Sequence, residues 1–318
     1  MKILTVFTGG TIGSTVSDGW ISPDPSAKYL LISKFRELSG ISVTFDVLSP
    51  YTVLSENLSA DELNQLIACV TENLDKGYDG IIVTHGTDSI QYSAAALALA
   101  LGSDTIPVML VSSNYPLEDD RANGLANFTA AVQFIASKSG RGVFVSYKNH
   151  ENRVNIHAGN ALLTASEFSD EIYSSGEVFA CYENGKIIPN PSCQGRTETT
   201  ALGRFELIRD SGILVVPVHP GDGYSYHLAD KKAVILRPYH SGTLSTDIPA
   251  FHKFCMDAKE HGIPVFLVNA PSGTTYSSVK LYRELGIIPL ELPFVFAYMK
   301  IWATISLYGI EEFLKYLR

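Results

Sequence analysis

Phe7-Thr8-Gly9-Gly10-Thr11-Ile12-Gly13 and Thr84-His85-Gly86-Thr87-Asp88-Ser89 are the two stretches that decide how this chain is read. Each follows a short apolar, β-branched run, Ile3–Phe7 in the first case and Gly80–Thr84 in the second. Such runs predict strands, and the glycines mark where each strand stops. The second stretch leads toward the Ala-rich segment Ser93–Gly102, which is expected to be a buried helix. In open parallel sheets ligands gather outside the carboxyl ends of strands, so both turns are placed for chemistry.

Working outward, strands are also expected at Ile41–Leu48, Pro107–Ser112 and Gly142–Tyr147. Between them lie helical patterns. Ser59-Ala60-Asp61-Glu62 is a capping box, and Leu63, Leu66, Ile67, Val70 and Leu74 follow it at helical spacing. A second helix is expected over Arg121–Ser137, closed by Gly140. Strands and helices in alternation predict an α/β protein. From about Asn184 to Ser211 the composition turns to Pro, Thr, Gly and charged residues. The expected division is a domain over 1–190, a linker over 191–211 and a smaller domain over 212–318. The smaller domain would hold nearly all-apolar strands at Ile213–Val218, Ala233–Leu236 and Pro264–Val268, as parallel strands covered on both faces require. Its helices are expected at Ile248–His261, Ser277–Leu285 and Phe296–Leu317.

The 318 residues are 46% hydrophobic and 18% charged, enough apolar material for two cores. With 24 Lys and Arg against 33 Asp and Glu the net charge is −9, which argues against nucleic acid or an anionic membrane as a partner. The apolar start breaks at Gly9-Gly10, too early for a secretory leader, and no stretch approaches the length that spans a bilayer. Cys69, Cys181, Cys193 and Cys255 lie far apart without C-x-x-C spacing, so free thiols in a reducing cytoplasm are expected. No His, Cys and Asp cluster has ligand spacing, so neither a metal nor an organic cofactor is implied.

Two readings compete at each turn. Thr11 sits among Gly9, Gly10 and Gly13, where backbone can come close to a ligand. A threonine hydroxyl is a weak nucleophile that needs a base, and the bland alternatives are a phosphate-cradling loop or a plain tight turn. Gly-Gly-Thr-Ile-Gly does not match the G-x-G-x-x-G pattern. Thr87 and Asp88 place a hydroxyl and a carboxylate at a helix N-terminus, where outward N–H groups favour an anion or a developing oxyanion. An ordinary N-cap would explain one of these two residues.

Taken together, T-G-G-T-I-G and T-H-G-T-D about 75 residues later resemble the two signatures of the bacterial-type L-asparaginase/glutaminase family, in a divergent member of its shorter cytoplasmic type. Pro116-Leu117 with Arg121, Gly124 and Asn127, then Pro217–Gly221, Leu236–Gly242 and Pro271-Ser272-Gly273, carry the resemblance along most of the chain. It implies a larger N-terminal α/β domain with a mixed sheet and a smaller C-terminal domain with a parallel sheet. It also implies that Thr11 attacks a side-chain amide carbon, giving an acyl-enzyme that water hydrolyses to aspartate and ammonia. Thr87 would position the water, its N–H helping to hold the oxyanion, and Asp88 would bind the substrate's α-ammonium. Gly10 and Gly86 would line the substrate site. Ser55 would bind the α-carboxylate and Glu56 the α-ammonium, unless both belong to a solvated loop ahead of a capped helix. A homodimer or homotetramer is implied as well.

Three positions depart from that pattern. Where the family has a lysine, Asn155-Ile156-His157-Ala158 is the best match, so His157 would join Thr87 and Asp88; a shift in alignment would make Lys148 the basic group instead. Histidine with a pKa near 6.5 is mostly neutral at pH 7. The loop tyrosine of the family is replaced by Asp18-Gly19-Trp20, and an indole donates but cannot accept a proton, so Trp20 reads as a lid over the site or as core. Leu292-Pro293-Phe294-Val295-Phe296 is apolar where the family often has a glutamate, and the stretch Ile287–Phe296 reads as a surface needing a partner's cover. The expectation is an amidohydrolase acting on L-asparagine or a related small amide. The alternatives are an impaired or inactive member that binds an amino acid or a partner, and, least favoured by length and charge, the D subunit of a tRNA-dependent amidotransferase.

Overall fold

Short runs rich in Ile, Val and Leu pair side by side, because each can bury both faces only between layers of helix. In the computed structural model these are β1 (Lys2–Phe7), β4 (Thr44–Leu48), β5 (Gly80–Thr84), β6 (Val108–Val111), β7 (Val143–Tyr147), β8 (Val154–Ala158), β9 (Ala180–Glu183) and β10 (Lys186–Pro189). They form one eight-stranded sheet in the order β10-β9-β8-β7-β6-β5-β1-β4. The strands from β4 to β7 are mutually parallel, whereas β8, β9 and β10 each pair antiparallel, so the sheet is mixed. A separate hairpin joins β2 (Ser14–Ser17) to β3 (Trp20–Pro23). The structure describes residues 1–17, 20–23, 27–193, 198–270, 273 and 275–317. Asp18, Gly19, Pro271 and Ser272, read above as parts of motifs, lie outside the described residues.

Side chains alternate between the two faces of the sheet. Ile3, Phe7, Ile82, Met109, Val111, Phe144 and Ile156 face one layer, where they pack with Leu31 and Phe35 of α1 (Ala27–Leu38) and Phe128 and Phe134 of α4 (Gly124–Ser137). The opposite face meets α3 (Ile90–Leu101), whose residues are buried but for the half-buried Tyr92, as its Ala-rich sequence requires. α2 (Ala60–Thr71) starts at the Ser59 capping box, with both the Ser59 and the Glu62 side-chain bonds formed. Helix α4 ends differently from expectation. Lys138, not Gly140, takes the left-handed conformation at φ 53° that stops it.

The chain divides into two compact units, Met1–Glu206 and Leu207–Arg318. The second has its own parallel sheet, β11 (Ile213–Pro217), β12 (Ala233–Arg237), β13 (Val265–Leu267) and β14 (Ile287–Pro289), with α5 (Pro249–Glu260), α6 (Val279–Tyr282) and α7 (Phe294–Tyr308). The long terminal helix expected over Phe296–Leu317 stops at Gly309, whose φ of 73° breaks the helical path. The apolar Ile287–Phe296 stretch is buried only in part, with Ile288, Pro289 and Glu291 exposed. Ile287 enters the sheet, and Phe294, Val295 and Phe296 are buried as α7 begins.

Candidate active site

Three strand ends supply the site. Beyond β1, Gly9 bridges Val53 in parallel fashion, and the Val53 N–H donates to the Thr8 carbonyl at 3.1 Å, so the turn after β4 is sewn to the turn after β1. The Thr8 hydroxyl donates to the Thr84 carbonyl at 2.7 Å, which ties the same turn to the end of β5. The Gly10 carbonyl accepts from the Gly13 N–H at 2.9 Å and from the Ser14 hydroxyl at 2.8 Å, and this rolls Thr11–Gly13 into a single tight helical turn.

The glycines allow contacts that no other residue could make. Gly10 has φ 77°, and a Cβ built there would lie 2.3 Å from the Gly86 nitrogen. A Cβ on Gly86 would lie 2.3 Å from the Ser55 Oγ. Backbone of the first turn therefore rests on backbone of the third, and the Ser55 side chain fills the place next to it. Any side chain at either glycine would wedge the turns apart.

Ser55 is buried at the head of a short helical turn, Ser55–Asn57. Its hydroxyl donates to Asp88 Oδ2 at 3.3 Å and accepts from the Asp88 N–H at 3.3 Å, and its carbonyl accepts from the Ser89 hydroxyl at 2.6 Å. Thr11 and Thr87 are half-buried, and Asp88 is exposed. Among the described residues neither threonine hydroxyl has an intrachain hydrogen-bond partner, which leaves both available to a ligand. Thr87 and Asp88 precede the first residue of α3, so the helix dipole adds positive potential where they stand. Two adjoining turns thus carry two hydroxyls, one carboxylate and a helix N-terminus. Such a set can bind a small zwitterion and stabilise a developing oxyanion.

Glu56 is exposed beside Ser55 in the same turn. Trp20 is 77% exposed and begins the second strand of the hairpin. His157 is not brought to the cluster. It lies within β8 opposite Val145, which registers with Leu110 and then Val83 in β5. Three strand spacings put it about 14 Å across the sheet from β5, and it is level with a residue four positions before Thr87. The physical reason is the reversal between β7 and β8. The antiparallel strand carries His157 back from the carboxyl edge into the layer covered by α3. Its Nδ1 pairs with the Ser174 hydroxyl at 2.7 Å, its Nε2 has no partner among the described residues, and burial lowers its pKa to about 4. Lys148, by contrast, follows β7 directly and stays at the carboxyl edge, where it lines a cavity of about 290 Å³ with Asn114, His150 and Asp170. Sequence reading passes over His85, whose position between a strand-ending threonine and Gly86 is the available signal. Its ring is buried under the third turn and hydrogen-bonded through both nitrogens. No helix among the described residues is long and apolar enough to cross a membrane.

Comparison with known proteins adds a family. A family model described as "Asparaginase, N-terminal" matches residues 2–175. The chain is 25% identical over 302 residues to L-asparaginase 1 of Escherichia coli K12, covering 90% of this chain and 86% of that one. It is 27% identical over 274 residues to the glutamyl-tRNA(Gln) amidotransferase D subunit of Methanosarcina mazei, covering 81% of this chain and 62% of the relative. The chain thus spans less than two thirds of the D subunits it resembles, and only 32% of that from Methanosarcina acetivorans. In structure it resembles the thermostable L-asparaginase from Thermococcus kodakarensis, with a TM-score of 0.80 at 19% identity over 100% of this chain and 97% of that one. L-asparaginase I from Vibrio cholerae gives 0.78 at 21% identity, covering 100% and 96%. At these identities the structural likeness speaks for the fold.

Proposed function

Because the chain belongs to the asparaginase family, we propose that it is an amidohydrolase that cleaves the side-chain amide of L-asparagine, or of a related small amide, with Thr11 as nucleophile. The observation that carries this is the direct contact of the three strand-end turns that bear Thr11, Ser55 and Thr87, through the Gly10–Gly86 and Gly86–Ser55 approaches. Thr11 Oγ adds to the amide carbon, and the C–N bond breaks as the hydroxyl proton passes to the departing ammonia. Water then adds to the resulting ester, releases aspartate and returns the proton to Thr11 Oγ. Thr87 holds that water and offers its N–H to the oxyanion. Asp88, tied to Ser55, receives the α-ammonium, with Glu56 alongside, and Ser55 faces the α-carboxylate. No step of this scheme passes through His157. A homodimer is the assembly proposed, and the substrate is a small molecule. Ammonia release from asparagine, glutamine and small amides, measured for the wild type and for Thr11→Ala, tests the proposal. Release no greater than that of the alanine variant would sink it.

A second reading has one observation in its favour. The amidotransferase relative from Methanosarcina mazei aligns along 81% of this chain. On that reading the amidase step would feed ammonia to amidation of glutamyl-tRNA by a partner protein. Robust hydrolysis of free asparagine by the isolated chain, with no stimulation by a cognate tRNA and partner, would decide against it.

A further inference from the structure

The ring of His85 is 2% exposed and sits between the end of β5 and α3. Its Nδ1 lies 2.9 Å from the Gly86 carbonyl oxygen, and its Nε2 lies 2.8 Å from the Ser93 Oγ. A carbonyl only accepts, so Nδ1 carries the hydrogen, and the bare Nε2 accepts from the Ser93 hydroxyl. One neutral tautomer thus satisfies both bonds.

The Gly86 carbonyl belongs to the same peptide unit as the Thr87 N–H. Among the described residues no peptide bond is cis, and in a trans unit the C=O and N–H point in opposite directions. A carbonyl held by a ring buried beneath the turn therefore turns the Thr87 N–H outward, to the side where Thr87 is half-buried and Asp88 exposed. Gly86 cannot do this alone. It must lack a side chain because Ser55 fills the Cβ position, and glycine leaves its own peptide free to rotate. We propose that His85 is a positioning residue that clamps the Gly86–Thr87 peptide so that the Thr87 N–H faces the oxyanion formed during amide hydrolysis. This rests on the amidohydrolase reading and adds to it a residue that never touches substrate. Burial, which lowers the ring's pKa, keeps it neutral and in the tautomer the clamp needs.

Two substitutions separate clamp from packing. The amide nitrogen of His85→Asn falls where Nδ1 stood and can still donate to Gly86, while His85→Gln reaches the place of Nε2 and keeps only the Ser93 side. We expect kcat for H85N within about threefold of wild type. For H85Q we expect a loss of roughly 30- to 100-fold, short of the roughly 10²- to 10³-fold cost of removing one oxyanion donor outright, with KM changed less than about threefold. In 15N-histidine-labelled wild type, His85 should show the Nδ1–H tautomer. Equal losses in both variants, a loss in KM alone, or the Nε2–H tautomer would each overturn the proposal. If the wild type releases no more ammonia than T11A, the amidohydrolase reading fails and the oxyanion role falls with it. The tautomer would still decide whether the ring holds the peptide.

Discussion

The carboxyl edge of the larger sheet, where β1, β4 and β5 end, and its interior at β8 each hold a buried histidine, and the two differ in what surrounds them. His85 lies under the third turn with both ring nitrogens bonded, so its burial costs little hydrogen bonding and fixes a peptide. His157 lies within a strand with Nε2 unpartnered, so its burial is a cost that the fold absorbs. At the strand ends the backbone is irregular, and several of its N–H groups bond to carbonyls and side chains of neighbouring turns. Inside the sheet every backbone group is committed to a ladder, and a polar side chain there has only its immediate neighbours. The first region is therefore the one proposed to carry the chemistry, and the buried ring of the second, with its unpartnered Nε2, adds to the protein's acid sensitivity.

The largest effect expected is on turnover. Thr11→Ala should lower ammonia release by roughly 10³-fold or more, with little change in melting temperature, since loss of a nucleophile removes the covalent route. Steady-state assay beside thermal unfolding checks both halves. Gly10→Ala should follow, with activity down on the order of 10²-fold, because a methyl at φ 77° would meet the Gly86 backbone and push reacting groups apart. If Gly10→Ala kept full activity, the close contact between the turns would not be what builds the site.

The β8 region should instead answer to pH. The folded pKa of His157 is depressed from 6.5 to about 4, so its contribution to stability is intact above the unfolded value. It is lost as pH falls from about 6.5 toward 4, amounting at most to about 3 to 4 kcal/mol at 1.36 kcal/mol per unit. Burial lowers the His85 pKa too, so the two act in the same direction. His157→Phe should flatten the acid limb of a urea-unfolding series by about 2 kcal/mol at pH 5 while leaving turnover at pH 7 within about threefold. A loss of turnover as large as that of Thr11→Ala would bring His157 back into the reaction. The smallest effect belongs to Trp20→Ala. With 77% of the residue exposed, stability should stay within about 0.5 kcal/mol of wild type. A lid role would show as a rise in KM of about threefold.

Much of this is legible in residue types alone. The β-branched run Gly80–Thr84 is a strand from end to end, and the capping box at Ser59 opens α2 as its residues predict. Strands of three or four residues are less legible: β9, β10 and β14 carry too few side chains for alternation to show, and the apolar β14 reads in sequence as surface. The end of α4 at Lys138 leaves no mark in the sequence, because glycine is favoured for left-handed backbone but not required.

The two Gly-Thr turns and their positions after strands are local properties, written in residue types that permit only certain backbone angles. Sequence also determined that acidic, apolar-rich material would fold as α/β layers. The distance between side chains was decided elsewhere. That Gly10 meets Gly86, that Ser55 reaches Asp88, and that His157 does not reach Thr87 depend on strand order and direction, which pairing across long separations in sequence sets. A single antiparallel reversal after β7 moved a histidine away from the edge where its place in the sequence had put it. Nothing in the four residues around it records which way their strand would run.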